Sequence, residues 1–202
     1  MGKVIADQSA SLDGFSAGPN VGMGNGMGDG GEELHTWMFA EGGSTVRDGA
    51  AIEGPQELLA GVGSVVVGRR MFDLGEEPWG DPPPFHNNPV FVVTHRPHPP
   101  IAKQGGTTYT FVTDGLEAAL ARARDAAGDR NVAVLGGAEI IRQCIRGGLL
   151  DELRLHVVHI VHIVLGGGTA LFGGLDPASV ALERIGLIDA DGVTHLTFRL
   201  AR

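Results

Sequence analysis

Residues 132–146 read Val-Ala-Val-Leu-Gly-Gly-Ala-Glu-Ile-Ile-Arg-Gln-Cys-Ile-Arg, and this stretch decides the fold. Four apolar residues in succession, Val132 to Leu135, are too few for a helix and suit a strand buried on both faces. Gly136-Gly137 breaks that run with a tight turn. Ala138 to Arg146 then reads as a helix, with Ile140, Ile141, Cys144 and Ile145 gathered on one apolar face. Strand, glycine turn and helix in immediate succession are the signature of an α/β protein.

The same grammar extends in both directions. Upstream, Asp114 is expected to cap a helix whose Leu116, Ala119, Leu120 and Ala123 fall at i, i+3, i+4 and i+7, ended by Gly128-Asp129. Tyr109 to Val112, Val90 to Val93 and Ser64 to Val67 read as buried strands, the last running into a helix from Arg69 to Leu74. Earlier still, a short helix is expected around Pro55 to Ala60 and another over Glu32 to Phe39. Lys3 to Ser11 opens the chain as a strand, closed by the turn dipeptide Asp13-Gly14. Downstream, Leu153 to Leu165 reads as one long strand. Ala181–Asp189 and Val193–Leu200 then form a hairpin about Asp191-Gly192. Alternating strands and helices followed by an antiparallel pair predict a mixed sheet. With no linker or change of composition, a single domain over residues 1–202 is expected.

Composition removes several alternatives. The chain has 202 residues, with 43% hydrophobic and 19% charged, so a substantial core is expected and disorder is not. A net charge of −9 argues against nucleic acid or an anionic membrane as partner. No apolar run reaches the ~18 residues that span a bilayer, and the N-terminus lacks a secretory pattern, so a cytoplasmic protein is expected. One cysteine, Cys144, excludes an internal disulfide framework and a multi-cysteine zinc site. Glycine is the unusual residue, 33 in all, clustered at Gly18–Gly31, Gly136-Gly137 and Gly166–Gly174. Such clusters point to turns or to backbone approaching a ligand.

Gly26-Met27-Gly28-Asp29-Gly30-Gly31 satisfies the G-x-G-x-x-G pattern, but no strand precedes it, so it reads as a chance match. No phosphate loop of the G-x-x-x-x-G-K type and no G-x-S-x-G nucleophile elbow occurs. Three strand ends are better placed. Val65-Val66-Val67-Gly68-Arg69-Arg70 delivers two guanidinium groups, and Val92-Val93-Thr94-His95-Arg96 delivers a hydroxyl, an imidazole and a guanidinium. Val134-Leu135-Gly136-Gly137-Ala138-Glu139 delivers two glycines at a helix start. Helix N-termini and arginines attract phosphate, and ligands of open α/β sheets bind beyond the strands' carboxyl ends. Solvated arginines and plain turn glycines would give the same sequence, and that alternative stays open.

Taken in order, Ser11-Leu12-Asp13-Gly14-Phe15, Val67-Gly68-Arg69-Arg70-Met71-Phe72, Val92-Val93-Thr94-His95-Arg96 and Leu135-Gly136-Gly137-Ala138-Glu139-Ile140 resemble the dihydrofolate reductase-like superfamily. Leu150-Asp151-Glu152-Leu153 and Leu165-Gly166-Gly167-Gly168 through Leu171-Phe172 extend the match over nearly the whole chain. Within that superfamily the chain is most similar to stand-alone relatives of the riboflavin-biosynthesis reductase domain. The resemblance implies a three-layer α/β/α fold with a mixed, mostly parallel central sheet and a C-terminal antiparallel hairpin. It also implies a site for NADPH. Gly68, Arg69 and Arg70, with Met71 beside them, would face the phosphates, and Thr94, His95 and Arg96 the 2′-phosphate end. Leu135, Gly136, Gly137 and Ala138 would lie under the pyrophosphate and ribose, with Glu139 beginning the helix. Asp13 and Gly14 would border the nicotinamide, and Phe172 falls on the substrate side.

Asp13 is the first candidate for a polar catalytic group, and His35 the second, as proton donor. Trp37 either lines the substrate side or packs in the core. After Asp151-Glu152-Leu153 the family pattern has a proline, whereas this chain continues His156-Val157-Val158-His159-Ile160-Val161-His162-Ile163-Val164, three residues longer. An odd insertion reverses a strand's in/out alternation, so a bulge is expected nearby. His156 and His162 would share a face about 20 Å apart, too far for one metal ion. These histidines therefore read as structural or interface groups, and no metal is expected. The combined expectation is an NADPH-dependent reductase of a small heterocyclic or carbonyl-type molecule, in a homodimer. The alternatives are a nucleotide-binding module without turnover and a dimeric interaction protein.

Overall fold

A computed structural model describes residues 2–38, 59–159 and 164–201. The expected helix around residues 55–60 lies largely outside these, as do Phe39 and His162. In chain order the strands and helices are β1 (Val4–Ser11), β2 (Phe15–Ala17), β3 (Val62–Gly68), α1 (Arg69–Gly75), β4 (Val90–Val93) and β5 (Ile101–Ala102). Then come β6 (Thr108–Val112), α2 (Leu116–Ala127), β7 (Asn131–Gly136), α3 (Ala138–Arg146), β8 (Glu152–Val158), β9 (Thr169–Ala170), β10 (Leu182–Ala190) and β11 (Val193–Leu200). A 3-10 helix over Gly31–Met38 stands where the sequence predicts a short helix. The chain forms two compact units, and β1 gives its first residues to one and Asp7 onward to the other.

The first unit holds residues 2–6 and 59–151. Its strands follow the order β1-β7-β3-β4-β6-β5. All neighbours are parallel except β5, which runs antiparallel to β6. Strand alternation sends Val65 and Val67 to one face, where they join Val90, Val92, Tyr109, Phe111 and Phe72 of α1 in one apolar cluster. Ser64 faces the other way and donates its hydroxyl to the carbonyl of Ala123 on α2. Gly68 lies on that second face too, and a Cβ there would come within 2.9 Å of Ile140 on α3. One helix on one face and two on the other give the expected three layers around a mixed, mostly parallel sheet. Leu135 is an extra residue on β7, because Val66 pairs with Val134 while Val67 already pairs with Gly136.

Both long helices bury the predicted residues. Leu116, Ala119, Leu120 and Ala123 are buried on α2, and Ile140, Ile141, Cys144 and Ile145 on α3. Burial pushes the Cys144 thiol up to about 12, with Arg124 opposing the rise, so it stays a neutral apolar group. Asp114 does not cap α2. The N-cap is Gly115, at φ 93°, and Asp114 instead pairs with Arg122 at 2.7 Å. Gly115 takes the cap position because the chain enters α2 through a positive φ, which glycine tolerates best.

The second unit comprises residues 7–38, 152–159 and 164–201 of the described chain. Its strand order is β10-β11-β8-β1, with β2 and β9 forming a separate antiparallel pair. The C-terminal hairpin turns at Asp191-Gly192 as predicted. The long strand ends earlier than the sequence suggests, at Val158 rather than Leu165. Val158 pairs with Val193, the first residue of β11, and His159, whose N–H donates to the Gly192 carbonyl in the hairpin turn, is already outside the strand; residues 160–163 lie outside the described residues. The bulge expected near the three-residue insertion falls in part on those undescribed residues. β8 and β11 pair without interruption, and the irregularity lies in β10 between Arg184 and Gly186. β10 ends the strand order with Ile185, Leu187 and Ile188 exposed.

Ile141 is fully buried on α3. Ile141→Ala should therefore cost about 2–5 kcal/mol through lost burial and a residual cavity, read as a lower midpoint in chemical denaturation.

Candidate functional site

Parallel strands in the first unit bring three distant junctions to one edge. β3 delivers Arg69 and Arg70, β4 delivers Thr94 to Arg96, and β6 leads through Gly115 into α2. With Val93, Leu116, Ile140 and Gln143 these residues line an open cleft of about 450 Å³. The arginines are fixed by a carboxylate the sequence reading did not single out. Asp73 accepts from Arg69 Nε at 2.6 Å and from Arg96 Nη2 at 2.9 Å. Arg69 also lies over the rings of Phe72 and Phe111, 5.8 and 5.4 Å from their centroids. Thr94 is buried, and its hydroxyl accepts from the Arg96 amide at 3.0 Å, which locks the turn. His95 and Arg96 are exposed.

The glycine junction has a different character at each residue. Gly136 has φ 111°, a conformation few other residues adopt, whereas Gly137 has φ −66°, open to any residue. A Cβ on Gly137 would meet no atom within 4 Å, so space lies open in front of the α3 start. Gly137 is the N-cap and, without a side chain, makes no cap of its own to the first amides of α3. Ala138 is buried. Glu139 binds Gln143, Arg142 and Arg146 on its own helix, and those partners hold its carboxyl below the usual range against the opposing effect of desolvation. Met71 and Leu135 pack against the apolar cluster instead of facing the cleft. Burial is the reason, since each follows the sheet's apolar face.

The second unit contains the remaining candidates. Asp13 is exposed and accepts three hydrogen bonds, from Ser11 Oγ at 2.6 Å, Gly166 N at 2.7 Å and Leu165 N at 3.1 Å. Desolvation opposes ionisation there, but these donors outweigh it and keep the carboxyl below its ordinary value. Asp13 thus ties the turn after β1 to the glycine segment before β9. Gly14, at φ 86°, adds its carbonyl as acceptor for the Leu171 amide. Phe172 is exposed, next to this junction. His35 is half-buried, and desolvation, reinforced by His156, pushes it down to about 4. Trp37 takes the core alternative: it is 1% exposed, with Nε1 donating to Ser9 Oγ at 3.1 Å.

Beneath Trp37 lies a buried polar chain, which the sequence reading missed apart from His156. Asp7 Oδ1 is 3.0 Å from His156 Nε2, and His156 Nδ1 is 2.6 Å from His195 Nδ1. The indole packs on both imidazoles, at centroid distances of 4.7 and 4.8 Å. Asp7 and His195 sit in ordinary alternating strands 188 positions apart, so no local motif connects them. Pairing of His156 with His195 across β8 and β11 is what brings them together. Among the described residues no cluster of three or more histidine, cysteine or acidic groups suits a metal ion. No described helix is long and apolar enough to cross a membrane.

Against known proteins, no curated protein matches the chain. A family model described as the RibD C-terminal domain matches residues 2–195. Among solved structures, a protein from Shewanella sp. PV-4 assigned to riboflavin biosynthesis is 24% identical, with TM-score 0.72 over 99% of both chains. A pyrimidine reductase-like protein from Corynebacterium diphtheriae is 15% identical, with TM-score 0.59 over 100% of this chain and 92% of that one. A dihydrofolate reductase from Enterococcus faecalis, solved in complex with NADP(H), is 14% identical, with TM-score 0.57 over 99% of this chain and 97% of that one. At these identities the structural likeness is one of fold, a dihydrofolate reductase-like one. The family match spans nearly the whole length, and the chain belongs to the RibD C-terminal domain family.

Proposed function

We propose that the protein is a single-domain, NADPH-dependent reductase of a small heterocyclic or carbonyl-type molecule. The observation that carries this reading is the cleft of the first unit. There Asp73 fixes two guanidinium groups on one side, and the α3 start with its open Gly137 lies on the same sheet edge. A ligand with several phosphates suits such a surface, because arginines bind phosphate in bidentate fashion and uncapped helix amides bind it through backbone N–H groups. Family membership and the NADP(H) held by the Enterococcus enzyme support a nicotinamide cofactor.

In this reading Gly68, Arg69 and Arg70 face the phosphates, and Arg96, with its turn locked by Thr94 and flanked by His95, takes the 2′-phosphate. Gly136, Gly137 and Ala138 lie under the pyrophosphate and ribose. Glu139 is already neutralised by its own helix and does not repel the cofactor. Met71 and Leu135 act at one remove, by packing beneath the binding surface. The cofactor supplies the hydride, and the protein supplies position and a proton. Asp13, ionised and triply bonded, fixes the loop at Leu165 and Gly166 within the second unit and is the polar group this reading assigns to the chemistry. His35 contributes a neutral imidazole that can donate its N–H. Homodimer formation belongs to the same reading, supported by the exposed apolar residues of β10, the last strand in its order. NADPH consumption over a panel of pterins, pyrimidines and quinones separates turnover from cofactor binding alone.

Two variants test the cleft. Arg96→Ala should weaken NADPH by about 1–3 kcal/mol while leaving NADH nearly unchanged, the amount a charge-assisted phosphate contact contributes; calorimetry with both cofactors measures the difference. In Gly137→Val the new Cβ needs no strained φ and meets no atom within 4 Å. The variant's melting temperature should stay near the wild-type value while NADPH binding disappears. A folded variant with normal affinity removes this turn from the site.

A further inference from the structure

The buried chain Asp7–His156–His195 has an unusual count of hydrogens and acceptors. Its two terminal atoms, Asp7 Oδ2 and His195 Nε2, are buried without a hydrogen-bond partner. The side chains of His156 and Asp7 are 2% and 8% exposed, and His195 is 4% exposed. Only one hydrogen fits between the two Nδ1 atoms, 2.6 Å apart. Asp7 as a carboxylate accepts from His156 Nε2–H, so the shared hydrogen belongs to His195 while both imidazoles are neutral, and His195 Nε2 carries a lone pair.

We propose that Asp7, His156 and His195 form a single proton-binding site, entered at His195 Nε2 and holding its charge on His156 beside Asp7. The uptake balances in two bond exchanges. A proton from solvent forms a bond to His195 Nε2. The Nδ1–H bond of His195 then breaks, and that proton forms a bond to His156 Nδ1. His195 ends neutral in the opposite tautomer, and His156 ends as an imidazolium against the Asp7 carboxylate. The charge settles there because desolvation and the neighbouring His156 both disfavour a charge on His195, which Asp7 offsets only from a distance, whereas His156 lies 3.0 Å from the carboxylate.

Among the described residues, the neighbouring elements carry further titratable and charged groups. On β8, Glu152 and Arg154 share the His156 face by strand alternation, and on β11 the same face carries Val193, Thr197 and Arg199, the last opposite Glu152. From β1 the facing groups are Asp7 and Ser9, whose hydroxyl is taken by Trp37. The Gly31–Met38 helix presents Trp37 and the half-buried His35, which is electrostatically coupled to His156, while Glu32 and Glu33 on that helix are exposed.

Ring-nitrogen NMR of the full chain, labelled with 15N at histidine and titrated from pH 8 to 4, tests the site. His156 and His195 should shift together with one midpoint, and His195 should change from the Nδ1–H to the Nε2–H tautomer. Independent midpoints, or a His195 tautomer that never changes, would overturn the proposal. Asp7→Asn keeps the shape and an acceptor but removes the charge, so the shared midpoint should fall by about 1–3 pH units; an unmoved midpoint overturns it. Should that variant fail to fold, the wild-type titration decides alone. His35→Gln should leave the tautomer change in place, and its disappearance would assign the proton to His35 instead.

Discussion

Parallel pairing obliges every crossover to leave the sheet from the same edge. In the first unit β3, β4, β6 and β7 all run one way, so the residues that follow each of them accumulate at a shared rim. That constraint, more than any single residue, makes the cleft. It brings stretches spaced tens of residues apart into one cleft lined by arginines, Thr94, and residues of α2 and α3. Asp73 then decides how those arginines are held. Without a shared carboxylate, two guanidinium groups so close would repel, and their long side chains would sample many rotamers. With it, both are partly neutralised and held in one orientation.

The second unit solves a different problem, the burial of polar groups among apolar strands. A carboxylate and two imidazoles removed from water are tolerated only when paired. Asp7, His156 and His195 achieve this by a linear chain across β1, β8 and β11, covered by Trp37. Trp37 gives its own N–H to Ser9, so the lid over the chain is itself satisfied. The arrangement leaves Asp7 Oδ2 and His195 Nε2 buried with no hydrogen-bond partner among the described residues.

What the sequence determined by itself was the order and type of elements and the identity of the core. Periodicity located α2 and α3 and their buried faces, because a helix that packs on a sheet must repeat its apolar residues near every 3.6 positions. Apolar runs located β3, β4, β6 and β7, and ordered short motifs pointed to the family. Errors arose where a decision depended on a partner element. Asp114 is a good cap residue by type, yet the chain's entry through Gly115 at positive φ took the position away. The length of β8 was set by where β11 begins, not by the apolar run that continues past it. Only the tertiary structure decided that Trp37 is core, that Asp73 joins Arg69 to Arg96, and that Asp7, His156 and His195 touch. Those contacts follow from strand register and crossover geometry, which bring together residues whose local sequences carry no trace of one another.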